Sequence, residues 1–147
     1  MDSRRVAPTL GIVASLAVVV LLVIPYPIVD DAPAVAAYYG AGAITPWAAG
    51  LMALVAVIVF AAGRENRTDP ETAAGAGLGC GVATFLVAVL WAVTVPVDVP
   101  LQLLEAEPLV GPLSTAVVIE YHRWMLVVAA VGPAIAGAWY ARSLGLL

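Results

Sequence analysis

Four stretches of this chain, residues 6–24, 46–62, 70–95 and 124–141, carry a single charged side chain between them, Glu71. Each is long enough to matter: about 20 residues of helix cover the roughly 30 Å hydrocarbon core of a bilayer. In lipid, a segment must satisfy its backbone N–H and C=O groups internally. Runs of this length therefore read as helices and not as strands. The composition agrees, with 63% of the 147 residues hydrophobic and 11% charged. A soluble domain of this size carries about 25% charged residues and has no interior large enough for such an apolar excess. The expected fold is an all-α membrane protein, one four-helix domain over residues 1–147, multi-pass in the cell membrane.

Punctuation sharpens the spans. Pro25-Tyr26-Pro27 is expected to close the first, and Pro96 the third. Thr45-Pro46-Trp47 reads as an N-cap, a first-turn proline and an interfacial aromatic. Thr68-Asp69-Pro70-Glu71 repeats the device with Asp69 as the cap. Gly63 is the expected stop of the second span, which makes spans two and three a tight hairpin. Asp31-Ala32-Pro33 is placed to cap a short helix through Tyr39, stopped by Gly40, and residues 100–105 are read as another, with residues 113–119 packing beside them in an outer cap. Ser3-Arg4-Arg5 has the start of a twin-arginine export signal, but Ala7-Pro8 follow where such a signal is strongly apolar. A retained first span is expected.

Charge placement orients the bundle. Arg4, Arg5, Arg64, Arg67 and Arg142 all fall on one side of a four-span chain. The opposite loops hold Asp30, Asp31, Asp98, Glu105, Glu107 and Glu120 against Arg123 alone. The positive-inside rule then puts both termini in the cytoplasm. Tyr26, Trp47, Trp91, Tyr121 and Trp124 are assigned to the outer interface, and Trp139 and Tyr140 to the inner one. The chain has no Lys and a formal net charge of −4. Acidic loops suit high salt, where the Debye length falls to about 3 Å and carboxylates repel each other little.

The candidate chemistry is concentrated in Ile119-Glu120-Tyr121-His122-Arg123-Trp124, which holds the only histidine. On one helix Glu120, Arg123 and Trp124 share a face and His122 points nearly opposite. An i,i+3 pair between Glu120 and Arg123 is expected, with the whole group acting as an interfacial collar. The alternative is that Glu120, His122 and Arg123 mark the mouth of a ligand-binding or transport site. A lone His without a second imidazole or a Cys pair does not make a metal centre, so neither metal nor cofactor is expected. Cys80 is unpaired and reads as a small packing residue. Gly75, Gly77, Gly79 and Gly81 form two overlapping small-xxx-small steps, a helix-packing face. Gly11/Ser15 and Gly132/Ala136 are candidates to meet it, and Pro133 is expected to kink the last span.

No glycine loop with a Lys and no serine-hydrolase pattern occurs, and no acid lies within a span beyond Glu71 at the start of the third, so nothing supports an enzyme, a nucleic-acid partner or a proton-coupled carrier. "RVAPTLGIVASL", "YYGAGAITP", "VIVFAAGRENRTDP" and "EYHRW" give the whole chain its likeness. It resembles small four-span membrane proteins of unknown function from halophilic archaea. That resemblance implies membrane location and archaeal origin, and carries no site residue across. The functional expectation is non-enzymatic: a small subunit, scaffold or homo-oligomer whose partners are membrane lipid, another membrane protein or a second copy.

Overall fold

A computed structural model describes residues 3–29, 31–96, 98, 108–110 and 113–147. In chain order these form α1 (Ser3–Val23), α2 (Pro25–Ile28), α3 (Ala32–Gly40), α4 (Trp47–Arg64) and α5 (Pro70–Thr94). A two-stranded antiparallel ladder of β1 (Pro108–Val110) and β2 (Leu113–Ser114) follows, and then α6 (Thr115–Ser143). Four segments are long and apolar enough to cross a membrane: Arg4–Ile28, Trp47–Arg64, Pro70–Thr94 and Val118–Ser143. The expected helix over residues 100–105 lies outside the described residues, as do Asp30, Glu105 and Glu107.

The long helices run up and down in a closed ring, α1 against α4, α4 against α5, α5 against α6 and α6 back against α1. Glycines mark the antiparallel contacts. A Cβ at Gly50 of α4 would strike Leu22 of α1, and one at Gly11 of α1 would strike Phe60 of α4. Gly63 faces Ala73 across the hairpin. Both chain ends and the 65–69 turn thus lie at one end of the bundle, and α3 at the other.

Local chemistry sets the helix ends. Asp31 Oδ1 accepts from the Ala34 N–H at 3.2 Å, and Asp69 Oδ2 from the Thr72 N–H at 3.0 Å; each satisfies a first-turn donor. Thr45 Oγ1 accepts weakly from Trp47 N at 3.4 Å. At the end of α4 the expected stop at Gly63 is incorrect. The helix continues to Arg64, and Asn66 turns the chain with φ +54°. Arg67 N then bonds the Ala62 carbonyl, and Asn66 N the Gly63 carbonyl, which is a Schellman closure with Asn in the left-handed position. Gly63 is instead needed where it is because Ala73 and the Tyr140 ring leave no room for a Cβ.

The first span also departs from expectation. Pro25-Tyr26-Pro27 does not end it: after a break at Ile24, α2 adds a further turn to Ile28. Proline lacks the N–H and so weakens the ladder, but Ile24 keeps helical dihedrals (φ −51°, ψ −42°) and lets the chain run on. The last helix runs from Thr115, and the fourth span, expected from Trp124, reaches back to Val118 and takes in the "EYHRW" stretch.

Large aliphatic side chains such as Ile58, Val128 and Ile135 stay exposed, as befits a lipid-facing surface. The interior divides into two clusters. The cluster at the α3 end is built on Leu22, Tyr38, Tyr39, Trp91, Ile119 and Leu126; the other is built on Phe60, Tyr140 and six alanines. Thr9, Thr84 and Thr94 turn their hydroxyls back onto the carbonyls of Arg5, Cys80 and Leu90, so no hydroxyl of the three is left bare in an apolar setting.

Candidate functional site

The only histidine lies at the junction of α1, α3, α5 and α6. His122 is 1% exposed. Its Nε2 lies 2.8 Å from the carbonyl oxygen of Leu21, and its Nδ1 lies 3.3 Å from the Tyr38 hydroxyl. A carbonyl can only accept, so Nε2 carries a proton and donates. In the neutral ring Nδ1 is then the acceptor for the Tyr38 O–H. Burial pushes the Tyr38 phenol well above its usual range, with the nearby Arg123 charge pulling it part of the way back. Tyr38 is therefore a protonated donor at ordinary pH.

The reason Leu21 offers a carbonyl is local. In an uninterrupted helix its oxygen would accept from the N–H four residues on, and that residue is Pro25, which has none. The proline leaves an acceptor at the end of α1, and a side chain from α6 fills it. One residue along, the Tyr39 hydroxyl donates to the Leu22 carbonyl at 2.6 Å. Burial raises the Tyr39 phenol in the same way, as do the neighbouring Tyr38 and Tyr26. The short α3 is thus fastened to the end of α1 by adjacent tyrosines, directly through Tyr39 and by way of His122 through Tyr38.

The rings pack as tightly as their polar tips are bonded. Trp91 of α5 meets Tyr38 and Tyr39 edge-on at centroid distances of 5.3 and 5.7 Å, and His122 at 6.2 Å. His122 stacks on Tyr39 at 6.0 Å. Gly42 gives Trp91 its room, since a Cβ there would come within 2.7 Å of the indole. Ala43 N then donates to Thr94 Oγ1 at 2.9 Å and ties the loop after α3 to α5.

The three residues singled out in the sequence do not converge. His122 points into the bundle, away from the interfacial collar expected of it, because the freed Leu21 carbonyl and the ring cluster receive it. Glu120 is exposed. The expected Glu120–Arg123 pair does not form: Arg123 Nη1 instead donates to the Val95 carbonyl at 3.3 Å, and its guanidinium carbon lies 5.5 Å from the Trp124 ring centre. The only ion pair among the described residues is Arg64–Glu65. Trp91 is likewise not an interfacial aromatic but fully buried, while Tyr26, Trp47, Tyr121 and Trp124 remain exposed at that end. At the other end Trp139 is exposed but Tyr140 is buried. Three buried side-chain atoms have no hydrogen-bond partner among the described residues: Ser15 Oγ, Trp91 Nε1 and Arg123 Nε. No three His, Cys, Asp or Glu side chains gather closely enough to hold a metal there either.

The glycine run of α5 splits in two. Gly77 receives the Phe60 ring. Gly81 lies against the α6 backbone, where a Cβ would come within 2.5 Å of Ala134 N and 2.6 Å of the Pro133 carbonyl carbon. Gly137 of α6 returns the contact on Leu78. Gly75 and Gly79 meet nothing within 4 Å and are exposed. Gly11 and Gly132 do not face this run; they meet Phe60 and Ala14.

Tyr38, Tyr39 and Trp91 were not selected from the sequence as site residues. The signal that points to them is Pro25: a proline inside an apolar helix frees a carbonyl one turn back, and a buried donor must answer it. No curated protein and no solved structure matches the chain. A family model does match, over residues 1–145, described as a family of unknown function (DUF7548). The chain belongs to that family, and is a four-span membrane protein by the length and composition of its helices.

Proposed function

We propose that the chain works as a structural component of the cell membrane: a small subunit, scaffold or homo-oligomer that acts through its helix faces and its α3 end, and not an enzyme. The observation that carries this reading is the engagement of His122. Both ring nitrogens, the side chain best suited to proton or ligand chemistry, are taken up by Leu21 and Tyr38. The buried polar groups of this junction serve mainly to hold three helices and α3 together. The outward faces stay apolar, including bare Gly75 and Gly79 on α5, as suits a helix whose partners are lipid or other helices.

In this reading the hairpin and both termini are cytoplasmic, because five of the six arginines lie at that end. The Lys-free, acidic composition further fits a halophilic archaeal setting; a bundle that loses structure in molar potassium chloride would speak against it. Orientation is checked by labelling with an impermeant maleimide in a Cys80→Ala background. Asn66→Cys should label only after the membrane is opened, and Ala36→Cys in intact cells.

The role itself is tested by gentle solubilisation of native membranes, followed by mass determination and identification of co-eluting chains. A stoichiometric foreign protein or a defined homo-oligomer supports the proposal. A strict monomer that binds a small solute and loses it on His122→Phe substitution would overturn it.

A further inference from the structure

We infer that Arg123 holds the phosphate of an anionic membrane lipid at the α3 end of the bundle. Five of the six basic residues (Arg4, Arg5, Arg64, Arg67 and Arg142) lie at the opposite end, so this guanidinium is the single cation of its end. It lies 19 residues before Arg142 on α6 (142 − 123 = 19). At 1.5 Å per residue that is about 28 Å, close to one hydrocarbon thickness, which places Arg123 where headgroup phosphates begin. Exposed Tyr121 and Trp124 flank it on the same helical turn, the side chains that settle at this depth.

The guanidinium is oriented, and no described residue neutralises it. Nη1 is fixed on the Val95 carbonyl, the first residue beyond α5, and the plane is held beside Trp124. No carboxylate among the described residues lies within ion-pair distance of it, and Glu120, three residues back, is exposed and forms no ion pair with a described residue. Its Nε is buried without an acceptor among the described residues. The guanidinium thus carries more N–H donors than it has acceptors among the described residues, beside a positive charge that is only partly buried. An oxyanion with several acceptor oxygens corrects both imbalances, and a phosphodiester matches the planar fork of Arg better than it matches a point charge. A lipid is favoured over free phosphate because Trp124 and Tyr121 supply apolar surface beside the charge, where acyl chains lie.

The test uses the full chain purified in mild detergent, with phosphorus counted per chain after exhaustive detergent exchange. Melting is then followed on adding phosphatidylglycerol, phosphatidylcholine or inorganic phosphate. The expected result is one retained phosphorus per chain and a rise in Tm with phosphatidylglycerol, larger than with phosphatidylcholine and absent with inorganic phosphate. Arg123→Gln should weaken retention about tenfold or more, as loss of a charge-assisted bidentate contact predicts. Arg142→Gln, the same change at the other end, should leave retention intact. If Arg123→Gln fails to fold, Arg123→Lys serves instead: it keeps the charge, loses the fork and should retain lipid less well than wild type. Three results would overturn the inference. One is retention unchanged in both variants, as expected if the chain's own carboxylates answer Arg123. Another is equal stabilisation by phosphatidylcholine. The last is full stabilisation by inorganic phosphate alone, which would make this a site for the free ion.

Discussion

The two halves of the bundle hold together by opposite means. At the α3 end the interior is filled by the rings of Tyr38, Tyr39, Trp91 and His122, and the polar tips of Tyr38, Tyr39 and His122 bond to carbonyls of α1 or to each other. Toward the hairpin the helices close in. Gly81 and Gly137 bring α5 and α6 into backbone contact, and a single large ring, Phe60, is lodged between Gly11 and Gly77. Lipid supplies no hydrophobic drive for helices to associate, so each half must generate its own attraction. One half does so with ring contacts and hydrogen bonds, the other with the dispersion gained when backbones touch. Close contact tolerates no added atom, whereas a ring junction tolerates loss of a hydrogen bond more readily than loss of a ring.

That comparison can be broken at Phe60. Phe60→Ala empties the niche shared by α1, α4 and α5 and should cost about 3 kcal/mol, read as unfolding in mixed micelles. A smaller value would mean that the helices collapse into the gap and that close packing is not what fixes their spacing. Gly81→Ala is the next test. Its single new methyl group meets backbone atoms at 2.5 Å, which cannot swing aside, and a loss of about 2 kcal/mol is expected. Gly79→Ala, two residues away in an open position, should stay within about 0.5 kcal/mol of wild type. Equal effects at the two sites would remove the distinction between inward and outward glycines.

At the other end, His122→Leu should cost about 1–2 kcal/mol by leaving the Leu21 carbonyl buried and unpaired. The same change made in a Pro25→Ala background should cost less. An alanine at 25 supplies the missing N–H, so the carbonyl no longer depends on His122. A double-mutant cycle measures this coupling. Strict additivity would show that His122 serves the junction by ring packing alone. A smaller effect at this end is expected of Tyr39→Phe, which keeps the ring and deletes one donor to Leu22, at about 0.6 kcal/mol. That is the usual size of a side-chain hydrogen bond within a membrane.

The sharpest lesson about legibility comes from two prolines and two glycine pairs. Asp69-Pro70 marked a helix start by chemistry confined to four residues, and the cap forms as the residues imply. Pro25 obeys equally local chemistry, but its consequence is not local. The carbonyl it frees is answered from α6, 101 residues later in the chain. Likewise, Gly75/Gly79 and Gly77/Gly81 have the same spacing in sequence, and only the positions of α4 and α6 separate the pair that is packed from the pair that is bare.

By itself, the sequence determined four long apolar helices, the capped start of α5 and the start of α4. Spanning length, proline and cap chemistry act within a few residues and need no neighbour. It also determined which end of the bundle collects the arginines, since alternating spans leave no other arrangement. Tertiary structure alone decided the rest: that Trp91 and His122 lie inside and not in the headgroup layer, that Arg123 meets Val95 instead of Glu120, and that Gly81 and not Gly79 is irreplaceable. The physical reason is that a helix has several apolar faces in a chain this apolar. Hydrophobic periodicity, which would point one face inward in water, loses its meaning in lipid. What turns each helix is the fit of rings into glycine niches and of donors onto freed carbonyls, and both depend on residues far apart in sequence.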